Sequence, residues 1–259
     1  MNTRAIPIFD AAELEAKVKE MYREVAERPE GSFHFELGRH LAEWLGYPPM
    51  ILDEIPAAAV ESFAGVGYFF DLAALGPDES VVDLGSGSGM DVFFAAMEVG
   101  DSGHVTGIDM TPAQLAKADA LRTASGFGQV TFIDGHIDAV PLPDASVDAV
   151  ISNGVINLAP DKPRVFVEAA RVLRPGGRLA IADIVTEVAL PSQVVENTDL
   201  WASCIGGAAH QDSYQRAIEA AGFTIVEIKL NPYQFISDQA RGASTNYGVK
   251  SVSVLAHKP

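Results

Sequence analysis

The sequence predicts an α/β protein with a doubly wound, mainly parallel sheet of seven strands behind a helical N-terminal segment. From residue 80 onward, short β-rich runs alternate with helical apolar spacing, which is typical of parallel sheets with crossover helices. The 259 residues, 48% of them hydrophobic, are enough for one sizeable core. We therefore expect a helical cap over residues 1–75 and one compact α/β domain over residues 76–259.

Two helices are predicted in the N-terminal segment. Asp10, with Glu13 three residues later, forms a capping-box-like start. The apolar positions that follow lie on one helical face and are Leu14, Val18, Met21, Tyr22 and Val25. A second, short helix is expected to end at Gly46. His34 and His40 are six residues apart and lie on different faces of a helix, so we expect no metal site there.

Five strands are predicted between residues 80 and 185. They are the runs "VVDL" at 81–84, "HVTGID" at 104–109, "VTFID" at 130–134, "VDAVISN" at 147–153 and "RLAIADIV" at 178–185. Helical patterns such as "TPAQLAKADALRTA" and "PRVFVEAARVL" separate them, and "PGG" at 175–177 is expected to be a turn before the fifth strand. After an irregular segment over about 186–212, "DSYQRAIEAAGF" predicts one more helix, and "TIVEIKL" and "SVSVLAH" predict two more strands.

Charge and cysteine content exclude several classes of partner. With 35 acidic residues against 18 Lys and Arg, the net charge is −17, which disfavours a nucleic-acid partner. One cysteine, Cys204, allows neither an internal disulfide nor a zinc–thiolate cluster. The N-terminus has no signal-like apolar region, and no apolar run approaches the roughly 20 residues of a membrane span. We expect a cytoplasmic protein without a membrane or metal partner.

A glycine loop follows the first predicted strand, in "VVDLGSGSGM". Gly85, Gly87 and Gly89 alternate with other residues after Asp83, and a strand, glycine loop and helix in this order bind ligands at the carboxyl ends of parallel strands. The dinucleotide fingerprint requires a further glycine at position 90, where the chain has Met90. A nicotinamide-dependent oxidoreductase is therefore disfavoured.

Two later segments indicate a nucleoside. Asp109 stands at the end of the second predicted strand, twenty residues after Gly89, where an acidic residue can accept hydrogen bonds from ribose hydroxyls. His136 and Ile137 occupy the loop after the third strand, where an adenine could meet a backbone N–H and apolar atoms. The ribose is implied, and a phosphate is not.

The segments "VVDLGSGSG", "GIDM", "GHIDAVPLPDASVDAV" and "RVLRPGGRLAIAD" resemble, in order, the motifs of class I S-adenosylmethionine-dependent methyltransferases. "SNGVINLAPDKPRVFVEAARVLRPGG" and "CIGGA" resemble the arsenite methyltransferase branch. The resemblance implies a Rossmann-like fold, S-adenosylmethionine as cofactor and a small-molecule acceptor. The resemblance implies that the methionine end of the cofactor is held by Asp83, Gly85, Ser86 and Gly87. It implies that Asp109 binds the ribose, that Met110 and Ile137 contact the adenine, and that Asn153 lines the methyl-transfer site. We add His136 and Gln114 to these cofactor-binding residues.

The chain departs from that branch in its cysteines. Gly154 stands where the branch has a cysteine, and "AGVG" at 64–67 lacks another, so Gly154 and Cys204 are the candidate substrate residues. Soft trivalent arsenic prefers thiolate ligands, which one cysteine cannot supply. For an acceptor that must lose a proton, His210 is the first candidate base, and Asn153 and Tyr22 complete the candidate catalytic set.

Three alternatives concern function. The first is methyl transfer to a small molecule other than arsenite by in-line displacement. The second is arsenite methylation with external thiols as the missing ligands. The third is a module that binds S-adenosylmethionine without catalysis. The sequence leaves the acceptor and the oligomeric state open.

Overall fold

The computed structural model describes residues 10–195, 201 and 205–259, and eight strands of this part form one sheet. The strands are β1 (Ser80–Leu84), β2 (His104–Asp109), β3 (Val130–Asp134), β4 (Val147–Asn153), β5 (Leu173–Thr186), β6 (Ala209–His210), β7 (Thr224–Leu230) and β8 (Lys250–His257). Their order is β3-β2-β1-β4-β5-β8-β7, and β6 pairs with the end of β5. Only β8 is antiparallel to its neighbours, β5 and β7. The doubly wound, mainly parallel α/β fold is confirmed.

The strand count and one boundary differ from the prediction. The two-residue β6 makes eight strands rather than seven, because Ala209 and His210 pair with the last residues of β5. The fifth strand begins at Leu173, so "PGG" is not a turn before it. Gly176 N donates to Lys258 O, and Lys258 N donates to Gly177 O, so this stretch continues the pairing with the chain end that follows β8.

Eleven helices and one 3-10 turn lie in the described residues. They are α1 (Ala11–Glu27), α2 (Gly38–Leu45), α3 (Pro49–Leu52), α4 (Ala57–Glu61), α5 (Phe70–Ala73), α6 (Met90–Val99), α7 (Pro112–Ser125), the 3-10 turn (Ile156–Leu158), α8 (Lys162–Val172), α9 (Ser192–Val195), α10 (Gln211–Ala220) and α11 (Asp238–Tyr247). The sequence did not predict α11, since Gly242 and several Ser, Thr and Asn residues give it low helix propensity. Ser237 caps it, and Ala240 and Ala243 are buried.

The two predicted N-terminal helices are present. Asp10 Oδ1 accepts a hydrogen bond from Ala12 N at 2.9 Å and caps α1. Gly46, with φ of 110°, ends α2 in the left-handed conformation.

The core lies on both faces of the sheet. On one face, the residues that lead from α2 to α5 share a cluster with the sheet, in which Phe69 and Phe70 accompany Phe94 and Ala182. Phe166 of α8 and Tyr214 of α10 belong to the cluster on the other face. Part of the predicted N-terminal cap is thus built into the main core, and its boundary at residue 75 remains a prediction.

Candidate functional site

A cavity of about 390 Å³ lies at the carboxyl edge of the sheet. The ends of β1, β2 and β4 form its floor, and α1 and residues 59–65 form other walls. This edge is where ligands bind in open α/β sheets. The parallel register brings Asp83 beside Gly107 of β2 and Ile151 of β4, so residues at the ends of these strands meet in one place.

The glycine loop uses its own amides within the protein. Gly85 N and Ser86 N donate to Ile108 O at 2.8 and 2.9 Å, and Gly87 N donates to Asp109 Oδ2 at 2.9 Å. An anion-binding loop needs such N–H groups directed at its ligand. These three are occupied, so the loop does not present them to a phosphate.

Gly85 is required by its surroundings. Its φ is +80°, and a Cβ atom there would lie 2.5 Å from the methyl groups of Val155. A side chain at this position would be strained by the backbone and would collide with the cavity wall.

The loop leaves space and one polar atom for a ligand. A Cβ atom at Gly87 would have no neighbour closer than Gln114 Oε1 at 3.8 Å. Ser86 is 7% exposed, and its hydroxyl has no hydrogen-bond partner among the described residues. A buried polar group without a partner is uncommon in native proteins and is expected to be satisfied by a ligand or water.

Three carboxylates line the cavity: those of Asp83 and Asp91 are buried, and that of Asp109 is half-buried. Loss of hydration raises the pKa of all three, and for Asp83 the negative charges of Asp91 and Asp109 add to this effect. Burial raises the pKa of Asp91 to about 6, against the opposing hydrogen bonds from Tyr47 and Asn153. The cavity therefore favours a ligand with positive charge.

Asp109 is fixed by the backbone around it. Its Oδ1 accepts from Thr111 N at 2.8 Å, and its Oδ2 accepts from Gly87 N. Each carboxylate oxygen can accept a second hydrogen bond. Both oxygens can therefore accept from a pair of hydroxyls, as the predicted ribose role requires.

Asn153 connects the cavity floor to the loop before α5. Its Oδ1 accepts from Val66 N at 2.7 Å and Gly67 N at 3.3 Å. Its Nδ2 donates to Tyr47 Oη at 3.1 Å and to Asp91 Oδ2 at 3.0 Å. Asn153 lines the cavity as predicted, and its amide is held by protein groups on both sides.

Gln114 and Lys117 of α7 hold the N-terminal segment over the cavity. Gln114 Nε2 donates to Tyr22 O at 2.8 Å, and its Oε1 accepts from Ser88 Oγ at 2.5 Å. Lys117 Nζ donates to Ala26 O at 3.0 Å and to Ser62 Oγ at 2.7 Å. Helix α1 is thus tied both to α7 and, through Gln114, to the glycine loop.

Most residues of the predicted site meet in this cavity. Besides the three loop residues and Asp83, Asp109 and Asn153, the lining contains Tyr22, Met110, Gln114, His136 and Ile137. His136 Nε2 lies 3.9 Å from Glu15 Oε1. The roles assigned to these residues remain predictions.

Two predicted residues, His210 and Gly154, are not part of the described lining. His210 caps α10, where its Nδ1 accepts from Asp212 N at 3.2 Å, and it is not part of the lining. Its role as a base stays a prediction. Gly154 lies behind the lining, with its N–H donating to Ala182 O at 2.8 Å. Cys204 lies outside the described residues.

Sequence reasoning missed Asp91 and the apolar walls. Asp91 is an acid in the first turn of a helix whose other residues up to Ala96 are apolar. A single acid in such an apolar segment is a pattern from which the sequence could have indicated a functional residue. The walls that Leu14, Phe63 and Leu158 supply had no such signal, because residues far apart in the chain form them. Within the described ranges no group of three or more His, Cys, Asp or Glu could hold a metal ion, and no helix there is long and apolar enough to span a membrane.

Comparison with known proteins gives the class of the chain. Residues 75–222 match the model of a methyltransferase domain family. An arsenite methyltransferase from Halobacterium salinarum is 41% identical over 222 residues, which are 84% of this chain and 56% of that protein. The arsenite methyltransferase of Homo sapiens is 41% identical over 152 residues, or 55% of this chain and 40% of that protein. The chain spans about half the length of the curated relatives it matches.

Solved structures agree. An arsenic(III) S-adenosylmethionine methyltransferase from Chlamydomonas reinhardtii has a TM-score of 0.68 and 35% identity, over 81% of this chain and 72% of that one. A geranyl diphosphate C-methyltransferase from Streptomyces coelicolor has the same TM-score at 18% identity, over 95% and 98% of the two chains, and shows the fold alone. The chain belongs to the methyltransferase domain family. The prediction that it is a class I S-adenosylmethionine-dependent methyltransferase of the arsenite methyltransferase branch is confirmed.

Proposed function

We propose that this chain transfers the methyl group of S-adenosylmethionine to a small-molecule acceptor. The observation that supports the proposal most is that three carboxylates and the Ser86 hydroxyl, which has no partner among the described residues, line one cavity, while the amides of Gly85, Ser86 and Gly87 are occupied. This arrangement fits a nucleoside with positive charge and no phosphate. When bound, S-adenosylmethionine supplies a methyl group on a positively charged sulfur, which leaves as a neutral thioether.

The residues of the cavity have separate roles in this proposal. Asp83 and Asp91 hold the positively charged methionine end, and the Ser86 hydroxyl donates to it or accepts from it. Asp109 accepts from the ribose hydroxyls. Met110 and Ile137 contact the faces of the adenine.

Methyl transfer from a sulfonium needs little more than alignment of the acceptor and exclusion of water. Helix α1, held to α7 by Gln114 and Lys117, covers the cavity and serves both needs. No side chain has to act as a base when the acceptor carries a free electron pair at the working pH.

Arsenite is a second candidate acceptor, favoured by the 41% identity to the Halobacterium salinarum protein. Trivalent arsenic needs soft ligands, and the sequence has only Cys204. In this chain external thiols would have to complete the arsenic ligands. Conversion of S-adenosylmethionine to S-adenosylhomocysteine that requires both arsenite and glutathione, and does not occur with either alone, would support this candidate.

The proposal is tested by calorimetric titration of the protein with S-adenosylhomocysteine and with NADH. We expect micromolar binding of the first and none of the second. A methyl-transfer screen over thiols, phenols, quinols and arsenite with glutathione then follows formation of S-adenosylhomocysteine. Turnover excludes the alternative of a module that only binds the cofactor. Binding of NADH alone would contradict the proposal.

A further inference from the structure

The cavity has apolar walls beyond the glycine loop. Leu14 and Val18 of α1 and Leu158 are buried and share one cluster with Trp201. Phe63, also buried, and Val155 complete this part of the lining. These side chains offer no hydrogen bonds, so an acceptor that lies against them is held by burial of its own apolar surface.

Apart from the imidazole of His136, the acidic and basic side chains of the described lining are all carboxylic acids. Among the described residues that line the cavity, the carboxyl-bearing ones are Glu15, Asp83, Asp91, Asp109 and Asp138, and none is lysine or arginine. Glu15 is paired with Lys19 at 2.6 Å. Within the described lining, the other carboxylates therefore face no lysine or arginine that could receive an anionic acceptor, and His136 lies 3.9 Å from Glu15 Oε1.

Two lysines, Lys117 and Lys162, lie close to the cavity but outside its lining and do not offer a positive charge to a bound acceptor. Lys117 Nζ donates to Ala26 O and Ser62 Oγ. Lys162 Nζ donates to Ala159 O at 3.0 Å and lies 4.7 Å from the centre of the Trp201 ring. Both ammonium groups are engaged by protein groups, and neither residue is part of the lining.

We infer that the acceptor is a small, uncharged and largely apolar molecule, and that the cavity rejects acceptors that carry a carboxylate or phosphate. This inference rests on the proposed function. An anionic group on the acceptor would lose its hydration without gaining a lysine or arginine of the described lining and would be repelled by the carboxylates. A neutral acceptor meets neither obstacle. The volume of about 390 Å³ is at the lower end of the ~300–1,000 Å³ range of small-molecule sites, so the cofactor leaves room for few additional atoms.

The transfer step balances for such an acceptor. Its lone pair forms the bond to the methyl carbon while the carbon–sulfur bond of the cofactor breaks, and the electron pair of that bond stays on sulfur. A thiol or phenol acceptor releases its proton to water at the cavity mouth. The positive charge of the sulfonium leaves with that proton, so the methylated acceptor and the thioether product are both neutral at the reacting atoms.

Matched probes test the inference by calorimetry on protein saturated with S-adenosylhomocysteine. One series is benzyl mercaptan, 4-(mercaptomethyl)benzamide and 4-(mercaptomethyl)benzoate, whose thiols stay protonated at pH 7, and the other is phenol, 4-hydroxybenzamide and 4-hydroxybenzoate. We expect a neutral member of at least one series to bind. We expect the affinity for the carboxylate of that series to be lower by about 30-fold or more. A carboxylate that binds as tightly as its amide, or two series without a neutral binder, overturns the inference. The first titration, with S-adenosylhomocysteine alone, reports on the proposed function separately.

A charge change at the cavity mouth provides the second test. Ala12 is exposed at the start of α1 and lines the cavity, so a longer side chain can be accommodated there. Ala12→Lys should reduce the preference for amide over carboxylate about threefold or more relative to Ala12→Gln, which adds comparable length without charge. An equal preference in the two variants would show that charge is not what the cavity selects on.

Discussion

The hydroxyl of Tyr47 donates to Asp91 Oδ1 at 2.6 Å, and both side chains are buried. Asn153 Nδ2 donates to the hydroxyl oxygen at 3.1 Å and to the other carboxylate oxygen at 3.0 Å. This triangle joins the N-terminal segment, the first turn of α6 and the end of β4. The residues that precede the α/β part of the chain therefore help to position a carboxylate of the cavity.

Replacement of Tyr47 by phenylalanine tests this triangle. The variant removes one donor to a buried carboxylate and one acceptor of Asn153, so we expect the free energy of unfolding to fall by about 1–3 kcal/mol. We also expect the affinity for S-adenosylmethionine to fall several-fold. Urea unfolding and calorimetry measure the two effects. Tyr68→Phe, at a half-buried tyrosine of the same aromatic cluster, is the control, and equal effects of the two substitutions would contradict the role given to Tyr47.

The stability of the cofactor-free protein should depend on pH through Asp91. Burial raises the pKa of this carboxyl from an ordinary value of 3.8 to about 6, so between these values the folded protein retains a proton that the unfolded chain has released. The contribution of Asp91 to the free energy of unfolding therefore falls as the pH rises through this window, by at most about 3 kcal/mol.

Asp91→Asn isolates that contribution. The difference in unfolding free energy between the variant and the natural protein should grow in favour of the variant from about pH 4 to pH 7. Unfolding in urea at several pH values measures it. A difference that does not change with pH would show that Asp91 titrates normally.

Asp109→Ala should weaken binding of S-adenosylmethionine about tenfold or more, because two hydroxyls lose a charged acceptor. Asp134→Ala is the matched control. Asp134 ends the neighbouring strand in register with Asp109 and is not part of the cavity lining. Calorimetry with both variants gives the comparison, and an unchanged affinity in Asp109→Ala would remove Asp109 from the cofactor site.

Gly154→Cys restores the cysteine of the arsenite methyltransferase branch but should not restore an arsenic site. The φ of Gly154 is +74°, and its Cβ would lie 3.1 Å from Val66 Cγ1, so we expect a loss of about 1–2 kcal/mol in unfolding free energy. Gly154→Ala should show the same loss without a thiol. Arsenite binding to the Gly154→Cys variant is measured by calorimetry in the absence of other thiols. Detectable binding would contradict this expectation.

The sequence was most informative where local pattern decides structure. Strands with buried apolar runs, the Asp10 cap and the glycine loop depend on neighbouring residues, and the structure has them where they were predicted, except that the fifth strand begins earlier, at Leu173. The Asp91 triangle could not be predicted, since its hydrogen bonds join residues 44 and 62 positions apart. His210 was placed at the cavity because its segment follows strand five, but its ring caps the next helix instead. The place of His210 in the sequence, after strand five, was not enough to predict the direction of its side chain.

We propose for the cavity that it binds S-adenosylmethionine and that the methyl group is transferred there to an uncharged acceptor. The most direct measurement is S-adenosylhomocysteine formation by the purified protein with the neutral thiol and phenol probes, each compared with its carboxylate. We predict turnover with at least one neutral probe and about 30-fold less with its carboxylate. Absence of turnover with every neutral probe, in protein that binds S-adenosylmethionine, would contradict the claim.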